Sequence, residues 1–166
     1  MAYTYKDLIN DFDSFRTYVE SLREMEDEKF FAPILPGKWS TAEIISHISF
    51  WDQYIRTEIL PKMKLGAVIE SIDFDTLNHK AAAYALSGIT KNHILDEAIT
   101  ERSKLINQLK EIDGDAFFDE FMLNGEEIDP YSGYPHTIFN YIAGFTWHDN
   151  HHKKQIEAFN SNEPKG

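Results

Sequence analysis

Residues 138–159 read IFNYIAGFTWHDNHHKKQIEAF. Ile138, Tyr141, Phe145, Ile156 and Phe159 recur at helical spacing, and Thr137, just after Pro135, is placed to cap the helix. The same stripe passes through His148 and His152, four residues apart and so one turn above the other. Phe145 and Ile156 flank the pair, which puts both imidazoles on the apolar face. An apolar stripe with two polar rings in it predicts a bundle helix that brings a site into the core.

The best-marked helix start in the chain lies at Ser40. Ser40 and Glu43 form a capping box, each side chain satisfying a free amide of the other, and Trp39 and Ile44 can pack as a hydrophobic staple across the cap. The stripe then runs Ile44, Ile48, Trp51 and Ile55, and Pro61 lets the helix kink or end near Leu60. His47 lies three residues after Ile44 and four before Trp51, so it also faces inward.

Two further stretches complete the set. Residues 5–28 carry Leu8, Phe12, Phe15, Val19 and Leu22 at alternating spacings of four and three. Pro33, Pro36 and Gly37 then break the chain. Residues 74–86 are alanine-rich, Ser87 and Gly88 interrupt them, and Thr90 caps a helix through 112 with Leu95, Ile99, Leu105, Leu109 and Ile112 inside. Residues 113–133 read as a long loop with one turn around Phe117, the kind of connection often used as a lid. Tyr131, Tyr134 and Asn124 in it are candidates to close over a site. No alternation is strong enough to predict a sheet. The expected fold is all-α, an antiparallel four-helix bundle with a long crossover, forming one domain over 1–166.

Composition limits the function classes. With 166 residues, of which 42 % are apolar, the chain can build one sizeable core. It has no cysteine, which removes disulfides, thiolate nucleophiles and sulfur-ligated metals. A net charge of −12 argues against a nucleic-acid partner, which calls for a basic footprint. No apolar run approaches the roughly 18 residues that span a bilayer, and the opening residues do not resemble a signal peptide. A cytoplasmic protein without membrane contact is expected. Phe30, Phe31 and the helix-one aromatics look like more than one small bundle must bury, which favours a homodimer.

Two imidazoles at i, i+4 and a third from a neighbouring helix make a facial set of three nitrogens. Such a set suits one divalent ion, zinc or nickel first, iron or manganese next, and leaves a coordination position open. Three inward histidines without partners would each cost stability, and a metal satisfies all three. His47, His148 and His152 are therefore the expected ligands. His151 points about 100° away, towards Trp147; His79, His93 and His136 read as solvated. Gln155, Arg102 and Glu43 are the remaining candidates around the metal or its substrate. Gln155 can hydrogen-bond a ligand ring. Arg102 interrupts an apolar face, so it either pairs with Glu43 or Asp52 as scaffold or clamps an anion beside the metal.

The segments 39–48 (WSTAEIISHI) and 148–156 (HDNHHKKQI, His-x3-His-x2-Gln-Ile) resemble the two histidine motifs of the DinB-like superfamily. Asp73-Phe74-Asp75-Thr76-Leu77-Asn78 is similar to that family's start of helix three. The resemblance spans nearly the whole chain. It implies a four-helix bundle with a metal at one end, often dimeric. Some members of that family transfer bacillithiol, mycothiol or glutathione, and others are described as metal-dependent hydrolases. With no catalytic triad, phosphate loop or dinucleotide fingerprint in the chain, the metal would carry the chemistry. A transferase using a low-molecular-weight thiol on a small-molecule substrate is the leading expectation. Hydrolysis and a non-catalytic stress-related bundle are the alternatives.

Overall fold

The computed structural model describes residues 2–161. Four long helices form the antiparallel bundle: α1 (Tyr5–Ser21), α3 (Thr41–Tyr54), α5 (Lys91–Lys110) and α6 (Ile138–Ser161). Helix α1 packs on α5 and α6, and α3 packs on the same two. The short α2 (Asp27–Phe30) precedes α3, and α4 (Phe74–Ala85) lies on α3 within the long crossover from α3 to α5.

The caps follow the sequence. Glu43 N donates to Ser40 Oγ at 3.2 Å while Ser40 N donates to Glu43 Oε1 at 3.1 Å. Thr4 and Asp7 form a second such box ahead of α1. Thr90 caps α5, and Thr137 Oγ1 accepts from Asn140 N at 3.0 Å at the start of α6. After Tyr54 the chain passes through a π-turn (Ile55–Ile59) and a 3-10 turn (Leu60–Lys62) that takes Pro61 in its first turn. The helical path therefore ends close to Leu60, one of the two outcomes expected of Pro61.

Three expectations change. The first helix does not run unbroken to residue 28. It ends at Ser21, a 3-10 turn covers Leu22–Glu24, and Met25 is extended. Lys91 supplies the reason: its ammonium donates to Arg23 O at 2.9 Å and Met25 O at 2.5 Å, satisfying carbonyls the helix gives up. The redirected chain then carries Phe30 into the core, fully buried, with Phe31 packed beside it. Phe30 and, in part, Phe31 thus pack into the chain's own core, while Tyr3, Phe74, Phe118 and Trp147 stay exposed.

The second change is a two-residue parallel strand pair, β1 (Val68–Ile69) with β2 (Met122–Leu123). At that length no alternation can show in the sequence. The pair fastens the crossover to the 113–137 connection. The third change concerns His136, which is buried. It stacks on Phe121 at 6.2 Å, its backbone amide donates to Glu127 O, and its carbonyl accepts from Phe121 N.

The core has two apolar clusters stacked along the bundle. Leu8, Phe12, Ile55, Leu105 and Ile142 belong to one; Phe15, Val19, Ile45, Leu95 and Ile156 belong to the other. Between them, at one level on three helices, lie the buried Asp52, Arg102 and Asp149.

Candidate metal centre

His47 comes from α3, seven residues past its Ser40 cap, and His148 and His152 come from successive turns of α6. The three meet as expected. His47 Nε2 lies 3.4 Å from His148 Nε2, and His152 Nε2 lies 3.1 Å from His148 Nε2. One ligand atom from each ring lies within 4.8 Å of the other two. Among the described residues, no carboxylate joins the group, so neither Glu43 nor Asp75 supplies a fourth ligand.

The donor set fits a divalent ion. Nitrogens about 2.1 Å from one ion stand about 3.0 Å apart in an octahedral face and about 3.4 Å apart in a tetrahedral one. The two observed spacings fall within that interval. Gln155 Oε1 lies 2.8 Å from His152 Nδ1. With the amide oxygen as acceptor, Nδ1 carries the proton and the Nε2 lone pair points at its neighbours. Three converging ring nitrogens cannot satisfy one another as donors and acceptors, and the Nδ1 atoms of His47 and His148 are buried with no partner. A cation at the centre resolves the convergence.

The rings are held neutral. Burial pulls His47 down to about 4, helped by the charge of His152 and opposed by Asn78. Burial, then the charges of His152, His47 and His151, pulls His148 down to about 3. His152 is also lowered by burial, against the Gln155 hydrogen bond. At neutral pH all three are ready as ligands.

The surrounding residues sort as follows. His151 is exposed and stacks flat on Trp147 at 5.4 Å, as its helical angle predicts. His79 is exposed, and His93 is exposed and pairs with Glu97 at 2.8 Å. Glu43 serves the Ser40 cap and meets neither Arg102 nor the triad. Tyr131 and Tyr134 are 96 % and 68 % exposed, and Asn124 hydrogen-bonds Ser71. The long loop holds none of these three against the triad. It joins α6 at residue 138, ten residues or about 15 Å along the helix from His148.

Arg102 is scaffold, and its partners go beyond the sequence reading. Its Nε and Nη2 grip both oxygens of Asp52 at 2.7 and 3.1 Å; its Nη1 donates to Asp149 Oδ2 at 2.9 Å and to Phe12 O at 2.8 Å. Its guanidinium carbon lies 3.8 Å from the centre of the Phe12 ring. One side chain thus touches all four bundle helices, and no edge is left to clamp an anion. Burial, against the pull of Arg102 and with the push of Asp52, raises Asp149 to about 7. Asp149 was not foreseen, although an arginine with two free edges calls for a second carboxylate. Asn78 was also missed as a site residue; it accepts from Trp51 Nε1 at 2.9 Å beside His47.

Fold and site together define a helical bundle whose three convergent imidazoles could hold a metal ion. The chain belongs to the DinB superfamily, whose sequence profile matches residues 13–156. A solved structure, YfiT from Bacillus subtilis, superposes with a TM-score of 0.65 at 15 % identity, covering 93 % of this chain and 84 % of that one. It is described as "a probable metal-dependent hydrolase with an unusual four-helix bundle topology". At that identity the likeness establishes the fold. No curated protein matches the chain. Among the described residues no helix is long and apolar enough to cross a membrane.

Proposed function

We propose that the protein is a divalent-metal-dependent enzyme that transfers a low-molecular-weight thiol to a small electrophile. The observation that carries the reading is the convergence of three neutral Nε2 atoms with no fourth protein ligand beside them among the described residues. When bound, a divalent ion supplies Lewis acidity and keeps a coordinated thiol or water deprotonated near neutral pH. His47, His148 and His152 hold it, Gln155 fixes the tautomer of His152, and the Asp52–Arg102–Asp149 bridge keeps α3 and α6 in register. Neutral nitrogen ligands suit zinc or nickel ahead of iron or manganese. Thiol transfer leads on the resemblance of the two histidine motifs to thiol-transferring members and on the open coordination position, where a bound thiol is deprotonated and nucleophilic near neutral pH. Cytosolic location and a two-fold dimer belong to the same proposal; a solution particle of only 19.3 kDa would remove the dimer.

Metal-dependent hydrolysis is the second reading, favoured by the description of YfiT. A cobalt-substituted sample titrated with bacillithiol or glutathione separates the two. Thiol transfer gives a sulfur-to-metal charge-transfer band and conjugation to a generic electrophile, both lost in His47→Ala. Hydrolysis gives no band and a thiol-independent turnover that rises with pH near 7. A non-catalytic bundle gives neither.

A further inference from the structure

An open groove of about 1230 Å³ runs between the segment before α3 and the last turns of α6. Its apolar walls are Ile34, Leu35, Trp39, Ile44, Ala158 and Phe159. His152 and Gln155 also line it, so the groove reaches the metal centre. Trp39 joins the two, its ring 5.1 Å from that of His47.

One wall is built in advance of any ligand. Pro33 and Ser40 bridge, Ile34 N donates to Trp39 O at 3.0 Å, and Lys38 N donates to Leu35 O at 3.0 Å. Gly37, at φ +76°, closes the turn in the left-handed region that favours glycine. This hairpin presents Leu35, 62 % exposed, to the groove instead of to the core. The charged residues at the groove, Glu26, Glu28, Lys29 and Lys38, balance in sign. The chain as a whole carries −12, so an apolar, locally neutral strip interrupts a strongly acidic molecule. The groove's own charges balance, so away from the metal it has no excess of cations to draw an anionic group.

We propose that this groove takes the uncharged apolar portion of the metal centre's substrate, an alkyl chain or aromatic ring carried by the electrophile. Trp39 and Leu35 determine specificity. A small molecule fits better than a protein partner because the groove leads to His152, and sites of this kind are apolar clefts with a few convergent polar groups. The inference rests on the metal reading for the reaction, while binding in the groove is testable without it.

The test is a titration of the full chain, metal-loaded and chelated, with the neutral fluorescent probe N-phenyl-1-naphthylamine. One saturable site is expected in both forms, competed by neutral n-alkyl amides. Each added methylene should tighten competition by about two- to fourfold until the groove is full. Leu35→Glu, a surface change that the fold tolerates, should weaken the probe at least tenfold and leave metal content unchanged; Trp39→Ala should weaken it in the same direction. The anionic 8-anilinonaphthalene-1-sulfonate should bind at least tenfold more weakly than the neutral probe. No saturable binding, unchanged binding in Leu35→Glu, or preference for the anionic probe would overturn the proposal. So would a Leu35→Glu chain that changes oligomeric state and keeps the probe, since the groove would then belong to a second copy. Probe binding as described in a protein unable to take up metal would overturn the metal reading alone.

Discussion

Gln155 Oε1 accepts from His152 Nδ1 at 2.8 Å, so a side chain three residues on sets which nitrogen of the ring faces His47 and His148. Replacing it frees the ring to rotate and to place its proton on the wrong nitrogen. Gln155→Ala should weaken metal binding about 10- to 100-fold, the usual effect of losing a partner that orients a ligand. Gln155→Glu, which keeps an acceptor, should retain most of the affinity. Competition with a chromophoric chelator measures both, and equal affinities for wild type and Gln155→Ala would mean the contact is incidental.

Arg102→Met should destabilise the fold by about 3–5 kcal/mol, because it leaves two buried carboxylates without a counter-charge. Denaturant unfolding reads this directly. Replacing Asp52 and Asp149 by leucine in the same chain should recover much of the loss, since a well-packed apolar trio can match a buried ion cluster. A loss under 1 kcal/mol in the single variant would show that the bridge is not needed to hold the four helices.

Affinity for the metal should persist further into acid than ordinary imidazoles allow and fall steeply as pH drops towards about 4, where His47 takes up its proton. Free imidazoles near 6.5 would already compete with protons at pH 6, but burial has lowered His47 to about 4 and His148 to about 3. The metal-free fold follows the same sign. Both folded values lie below the unfolded 6.5, so the stability of these neutral rings is fully present above 6.5 and is lost as pH falls towards 4 and below. Asp149 works the other way, because its folded value is raised above the unfolded one and its contribution is lost as pH rises through about 7. Measuring metal affinity rather than stability isolates the histidines. A decline beginning at pH 6.5 would contradict the neutral, buried triad.

Chelation should lower the melting temperature without unfolding the protein. An ion held a thousandfold above its dissociation constant adds about 4 kcal/mol to the folded state, worth about 10 °C for a chain of this size. The two apolar clusters remain without it. Scanning calorimetry with and without chelator checks both halves. An unchanged midpoint would argue against a buried site, and an unfolded apo chain against a core-driven bundle.

Local signals in the sequence carried most of this molecule. The Ser40–Glu43 box, the stripes of α1, α3 and α5 and the i, i+4 histidines depend on residues a few positions apart, and each is present in the fold. What stayed hidden depends on distant partners. The break at Ser21 has no glycine or proline before it; it becomes intelligible only once Lys91 is seen to hold the freed carbonyls. Asp149 lies beside a metal-ligand candidate but turns to the opposite problem, neutralising Arg102. His136 sits in an irregular connection where no period marks inside from outside. Phe30 read as surplus because the turn that buries it was not visible.

Metal analysis of protein purified without an affinity tag reads out whether His47, His148 and His152 hold one ion. The wild type should carry about one divalent ion per chain; His148→Ala should lose most of it, and His151→Ala, whose ring stacks on Trp147, should keep it. A wild type that takes up no ion, or equal loss in the two variants, would rule out this triad as the metal site.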